Sequence, residues 1–523
     1  MAFLCRQLGI CVVISLFACL YADQGCVDFD LEAELPNITT AKELKIKKSD
    51  FPIDFAFGVA TAAAQIEGAA NEGGRGPSIW DNFVQRFPEK ISDHNRFSSS
   101  IDHYKRYNED VKDIKNLGVD YYRFSISWTR IFPKGSLGGG VNQEGIDHYN
   151  SLINELIKDG IKPFVTLFHF DSPQVLEEKY GGPLNRSFVH DFKDYSELCF
   201  RTFGDRVKNW VTINEPFIIA AMGYDLGVAA PGRCSKPFST CPEGNSATEP
   251  YIVAHNLLLA HATVVNLYRE KFKGKQGGEI GISHVGQYVE PFSESPKDKA
   301  AATRALDFSL GWFVEPLVHG DYPAIMKDLV KDRLPSFTKE EKKFVKGSFD
   351  FIGINYYTTR YGQDIPENPN APVHYFGDSL TNITYEKDGV PIGPQAEGSG
   401  FLYIYPQGLE KLLKFMKRKY KSPKIYISEN GITEKKVENR KLEDALKDPH
   451  RVNNILRHLY YIHKAIKNGV NVKGYIYWTL FDDFEWAEGF TPRFGLYYVD
   501  YKDNLKRIPK LSAKWFHSFL RGA

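Results

Sequence analysis

The chain has 523 residues, 42% of them hydrophobic and 25% charged, with a formal net charge of +1. A near-neutral surface gives no electrostatic reason to bind nucleic acid or an anionic membrane. A chain this long buries a full core, and it fits either several domains or one large α/β barrel, which runs from about 200 to over 400 residues as a single unit.

In chain order, Arg6 precedes an apolar run over 8–20, followed by small and polar residues around Ala22 and Asp23. The run is shorter than the roughly 20 residues a bilayer span needs. It reads as a secretory signal peptide over 1–22, followed by an N-terminal extension over 23–50 and the main folded unit over 51–523. A retained anchor is the alternative. The expected destination is the secretory pathway, hence the cell wall, the extracellular space or the vacuole, with no membrane attachment once the signal is cleaved. Asn37, Asn185 and Asn382 head N-glycosylation sequons. Cys5, Cys11 and Cys19 fall in the signal segment, which leaves Cys26, Cys199, Cys234 and Cys241. Cys234 and Cys241 bracket a loop rich in Pro, Ser and Gly and read as a disulfide, stabilising by at most about 2–3 kcal/mol on the loop-entropy model. Cys199 lies in an apolar helical stretch and reads as a buried thiol. The cysteine spacing offers no zinc site, and no metal or cofactor is expected.

From Ser49 onward, short apolar runs alternate with amphipathic stretches. Strands are predicted over 55–60, 121–127, 163–168, 210–214, 279–284, 349–355, 425–428 and 472–479. Helices are predicted over 101–117, ending at Gly118, over 146–158, ending at Gly160, and over 247–272. The alternation is that of a single (β/α)8 TIM barrel with long βα loops, although a doubly wound open sheet would alternate in the same way. The polar stretch over 358–401, with several Gly and Pro, reads as a long loop after the sixth strand. Such loops lie on the face of a barrel that carries the site.

Acidity selects nothing in a chain with 65 acidic residues, but position does. Glu215 follows the apolar run Trp210-Val-Thr-Ile-Asn, and Glu429 follows Ile425-Tyr-Ile-Ser. They fall at the ends of the fourth and seventh predicted strands, which share one face in a closed barrel. Two carboxyls facing each other, one protonated and one ionised, are what glycosidic bond cleavage requires. Each could instead cap a helix or pair with a lysine.

Thr212-Ile-Asn-Glu215-Pro and Ile427-Ser-Glu429-Asn-Gly resemble the two catalytic signatures of family 1 glycoside hydrolases. The stretch from Phe57 to Gly68 resembles the family's N-terminal signature, and the ordered motifs extend from about Phe51 to Phe519. Within the family the chain is most similar to secreted plant β-glucosidases. The resemblance implies a TIM barrel and a retaining β-glucosidase acting on small plant glycosides, with Glu215 as acid/base and Glu429 as nucleophile. Retention implies carboxyls about 5–5.5 Å apart. Arg123 and Tyr357 match residues that support the nucleophile. Gln65, His169, Asn214, Tyr357, Trp478, Glu485, Trp486 and Phe494 match sugar-binding positions, with Asn214 at the 2-hydroxyl. Phe401, Phe217 and Ala487 are expected near the aglycone.

The chain departs from the family's usual pattern at three places. It has His169-Phe170-Asp171 for His-Trp-Asp, Asp483-Phe484-Glu485-Trp486 for Asn-Phe-Glu-Trp, and Phe401 for a tryptophan. Glu215 in place of Gln argues against a thioglucosidase. Glu485 would repel a phosphate and so argues against a phosphoglycosidase. A transglucosidase would keep both glutamates, and a sugar-binding protein that has lost catalysis is the alternative from another class. The sequence leaves the aglycone, the choice among glucose, fucose and galactose, and the oligomeric state open.

Overall fold

The computed structural model of the protein describes residues 44, 46–96, 100–237 and 239–522. The predicted signal peptide, Cys26 and Asn37 lie outside the described residues. Eight parallel strands close into a barrel: β1 (Ala56–Ala60), β2 (Tyr121–Ser125), β3 (Lys162–Phe168), β4 (Asn209–Asn214), β5 (Glu279–Val285), β6 (Phe351–Asn355), β7 (Ile425–Glu429) and β8 (Val472–Trp478). Each strand lies beside its neighbour in the chain. Closure is made by β1 on β8, with Ala56 opposite Gly474 and Ala60 opposite Trp478. That pairing decides between the barrel and the open sheet. Gly474 permits it, since a Cβ there would sit 2.8 Å from the Ala56 carbonyl oxygen.

The predicted strands match these with shifts of one to two residues at their ends. The predicted helices appear as His103–Leu117, Gln143–Lys158 and Glu249–Lys271. Gly118 stops the first of them at φ 80°, a conformation that suits a residue without a Cβ. Aromatic rings fill the base of the barrel: Phe164, Phe351 and Tyr426 meet with centroids 5.1–5.5 Å apart, and Tyr121 packs on Phe164 at 5.8 Å. With the base plugged, the free space lies at the strands' C-terminal mouth. Helices cover the outside; Trp128, for example, stacks on Tyr195 of the helix Ser187–Phe203 at 4.9 Å.

The stretch expected as a loop after β6 has structure of its own. Thr359–Asp364 pairs in parallel with Tyr288–Pro291 and antiparallel with Thr381–Thr384, giving a three-stranded sheet beside the barrel mouth. The helix Pro296–Leu306 packs against it. Cys234 and Cys241 are joined, with Cα atoms 5.4 Å apart, and Cys199 is a buried free thiol. Asn185 is exposed, and Asn382 is half-buried on the third strand of the small sheet.

Candidate active site

Asn214 ends β4, and the next residue, Glu215, turns the chain at φ 43° into the helix Pro216–Tyr224. A non-glycine residue in this left-handed region carries about 1–2 kcal/mol of strain, which the packing around it must hold. The Glu215 amide donates to the Ser283 carbonyl on β5 at 2.9 Å. Pairing between β4 and β5 shifts between Val211 and Asn214, and pairing between β7 and β6 shifts between Ile427 and Glu429. Such bulges change the parity of a strand and re-aim its last side chains. Ser428 and Glu429 therefore both bond to groups at the barrel mouth, although strict alternation would turn one of them away.

Arg123 on β2 is 1% exposed. Its Nη1 donates to Glu429 Oε1 at 2.5 Å and to the Ser428 carbonyl at 3.0 Å; its Nη2 donates to Asn214 Oδ1 at 2.7 Å. The Tyr357 hydroxyl donates to Glu429 Oε2 at 2.8 Å. Asn355, which the sequence reading left without a role, links the two glutamates' surroundings. Its Nδ2 donates to Glu215 Oε1 at 2.9 Å and to Asn214 Oδ1 at 3.0 Å, while its Oδ1 accepts from Ser428 Oγ at 2.7 Å. It lies in Gly353-Ile-Asn-Tyr-Tyr357, two residues before the nucleophile's tyrosine partner.

Asn214 Nδ2 donates to His169 Nε2 at 3.1 Å, so His169 is a neutral ring with its proton on Nδ1. Burial, and the Arg123 charge after it, hold the His169 pKa well below the usual histidine value. The His169 ring lies near-parallel to Trp478 and Trp486, at 5.7 and 5.9 Å. Trp478 Nε1 donates to Glu485 Oε1 at 3.2 Å. These groups line a cavity of about 340 Å³ together with Glu215, Glu429, Asn355, Tyr357 and Phe494. Phe401, Phe217 and Ala487 line it too, together with the apolar side chains of Met222, Leu226 and Phe376, which carry no family motif. Gln65 and Arg123 stand behind this wall. Gln65 is 0% exposed; its Nε2 donates to the Phe484 carbonyl at 2.8 Å, and its Oε1 has no partner.

The two carboxyls differ in their compensation. Burial first, and then the charge of Glu429, push Glu215 up to about 8; the Asn355 bond and the Arg123 charge oppose the shift. Burial also raises Glu429, against the Arg123 charge and hydrogen bonds from Arg123 and Tyr357. A single proton shared between them therefore rests on Glu215.

Two unequal buried carboxyls at the C-terminal mouth of a closed parallel barrel are the equipment of a glycoside hydrolase. The sequence matches Glycosyl hydrolase family 1 over residues 47–522, and the chain belongs to this family. It is 55% identical over 476 residues to Beta-glucosidase 24 of Oryza sativa subsp. japonica, covering 91% of this chain and 94% of that protein. It is 54% identical over 492 residues to the Furostanol glycoside 26-O-beta-glucosidase of Hellenia speciosa, covering 94% and 86%. Its fold matches the crystal structure of the rice Os3BGlu6 beta-glucosidase with a TM-score of 0.89 at 47% identity, covering 91% and 99% of the two chains. A mutant of that rice enzyme has been solved in a covalent complex with Glc.

Proposed function

We propose that the protein is a β-glucosidase that hydrolyses O-linked β-D-glucosides with retention, Glu429 acting as nucleophile and Glu215 as acid/base. Glu429 Oε attacks the anomeric carbon while Glu215 gives its proton to the departing glycosidic oxygen, releasing the aglycone alcohol. The resulting ester neutralises Glu429, so the pKa of Glu215 falls. Glu215 then takes a proton from water, whose oxygen displaces Glu429 and regenerates both groups. The observation that carries this assignment is the unequal support of the two carboxyls: Arg123 and Tyr357 both donate to Glu429, and the Asn355 amide donates to Glu215.

The hydroxyls of glucose would be met by His169, Asn214 and Glu485, with Trp478, Trp486 and Phe494 as apolar walls. Asn214, fixed by Arg123, is placed to hold the 2-hydroxyl, a contact that strengthens in the transition state. The apolar side chains of Phe217, Met222, Leu226 and Phe401 in the lining support a hydrophobic aglycone of plant secondary-metabolite type. Secretion through residues 1–22 and glycan attachment belong to the same proposal, and the exposure of Asn185 is consistent with them.

The roles are separated by azide rescue with an activated aryl β-D-glucoside. Glu429→Gly with azide is expected to give the α-glucosyl azide, and Glu215→Ala with azide the β-glucosyl azide. Exchanged products would reverse the assignment, and no turnover by folded wild-type protein would sink it.

A further inference from the structure

The usual Asn of the Asn-Phe-Glu-Trp motif is Asp483 here, and it stands beside Glu485. Asp483 is 0% exposed, Glu485 is 9% exposed, and the two side chains are hydrogen-bonding partners. Among the described residues, no cation forms an ion pair with either carboxyl. The neighbouring Asp482 takes the cations, with Arg493 at 2.5 Å and Lys510 at 2.9 Å. The ionisable groups facing Asp483 and Glu485 are Asp482, Glu429, Glu488, Tyr122, Tyr357 and Tyr501, and Trp478, Thr479 and Gln65 add hydrogen bonds.

Thr479 Oγ1 lies 2.9 Å from the Ala60 carbonyl and 3.4 Å from Asp483 Oδ2. A hydroxyl has one proton, and a carbonyl can only accept, so the Thr479 proton goes to Ala60. Asp483 then faces acceptors on both sides, the Thr479 oxygen and the Glu485 carboxyl, and no donor reaches its Oδ1. Two ionised carboxyls in contact, buried and without a cation, would be strongly disfavoured. One proton shared by the pair removes the conflict.

We propose that Asp483 is a positioning residue for sugar binding: as a carboxylic acid it donates its proton to Glu485 and holds that carboxylate toward the substrate's hydroxyls. This rests on the reading of Glu485 as a hydroxyl acceptor. An asparagine at this position would supply an N–H donor at every pH, whereas an acid supplies its donor only while protonated. Burial and the Glu485 charge both favour the protonated form of Asp483. Glucose binding should therefore weaken on the alkaline side, where the shared proton is lost and the bond that orients Glu485 becomes a repulsion.

The test is the inhibition constant of D-glucose, a neutral probe, measured against 4-nitrophenyl β-D-glucoside from pH 5 to 9 in wild type, Asp483→Asn, Asp483→Ala and Glu485→Ala. In wild type the constant is expected to rise about tenfold toward pH 9, the loss of one hydrogen bond to a charged group. The Asp483→Asn variant should bind glucose as wild type does at pH 6 and lose most of the alkaline rise. What remains in that variant is the contribution of Glu215, which it keeps. Asp483→Ala should bind weakly at every pH. A wild-type rise retained unchanged in Asp483→Asn would overturn the proposal. Unchanged glucose binding in Glu485→Ala would instead remove Glu485 from the sugar site, which is the failure of the underlying reading.

Discussion

Glu215 and Glu429 are both raised by burial, so the difference between them comes from their neighbours. Arg123 is the main one: it is buried, it bonds Glu429, and with its other nitrogen it fixes Asn214. In the proposed mechanism activity requires Glu215 protonated and Glu429 ionised. With Glu215 pushed up to about 8, kcat/KM should fall as pH rises through about 8, because the free enzyme loses the proton it must donate. Glu215→Gln should lose this alkaline limb. With 2,4-dinitrophenyl β-D-glucoside, whose leaving group needs no proton, the variant should still show a fast first turnover, read as a burst of phenolate. Asn355 shows what escapes motif reading: an amide inside a recognised motif acquires its role from contacts with residues 141 and 140 positions away.

At the scale of the element, the bulges in β4 and β7 matter as much as the strands. A period of two predicts which side chains face the pore, and it fails at the last residues, where the ladder shifts and the acidic groups are re-aimed. The strands tolerate little addition elsewhere. A Cβ on Gly281 of β5 would lie 2.3 Å from the Phe351 carbonyl oxygen of β6, which would force the paired strands apart. Gly281→Ala should destabilise the fold by about 1–3 kcal/mol, seen as a lower midpoint in urea unfolding with an unchanged slope. The small sheet beyond β6 was unreadable as such, because Thr359–Asp364 pairs with Tyr288–Pro291, about seventy positions earlier in the chain. Its Gly- and Pro-rich composition reads locally as loop, and the strand character comes from the partner.

At the scale of the whole molecule, the site is held by groups whose ionisation folding suppresses. Asp171, 1% exposed just past β3, is raised to about 7 by burial, against weaker help from Arg75 and backbone amides. Its folded pKa lies above its unfolded value of about 4, so the unfolded chain gives up this proton more readily. Stability from this residue is intact below about pH 4 and declines as pH rises to about 7. Asp171→Asn keeps the acceptor used by the His169 amide and has no charge to bury. Its melting temperature should equal that of wild type at pH 4 and exceed it at pH 8, by an amount worth at most about 4 kcal/mol. A difference of the opposite sign at pH 8 would mean that Asp171 is ionised and paired in the fold.

The sequence by itself determined the alternation of strand and helix, the placement of Glu215 and Glu429 at strand ends, and the family motifs around them. All of these are local: apolar periodicity, glycine stops, and short runs of residues in fixed order. Tertiary structure alone decided that β1 closes on β8, that bulges aim the carboxyls into one mouth, that Asn355 joins them, and that Asp483 meets Glu485 with no cation to spare. These depend on distances between segments far apart in the chain and on the burial those distances create. Burial, in turn, sets which carboxyl keeps its proton.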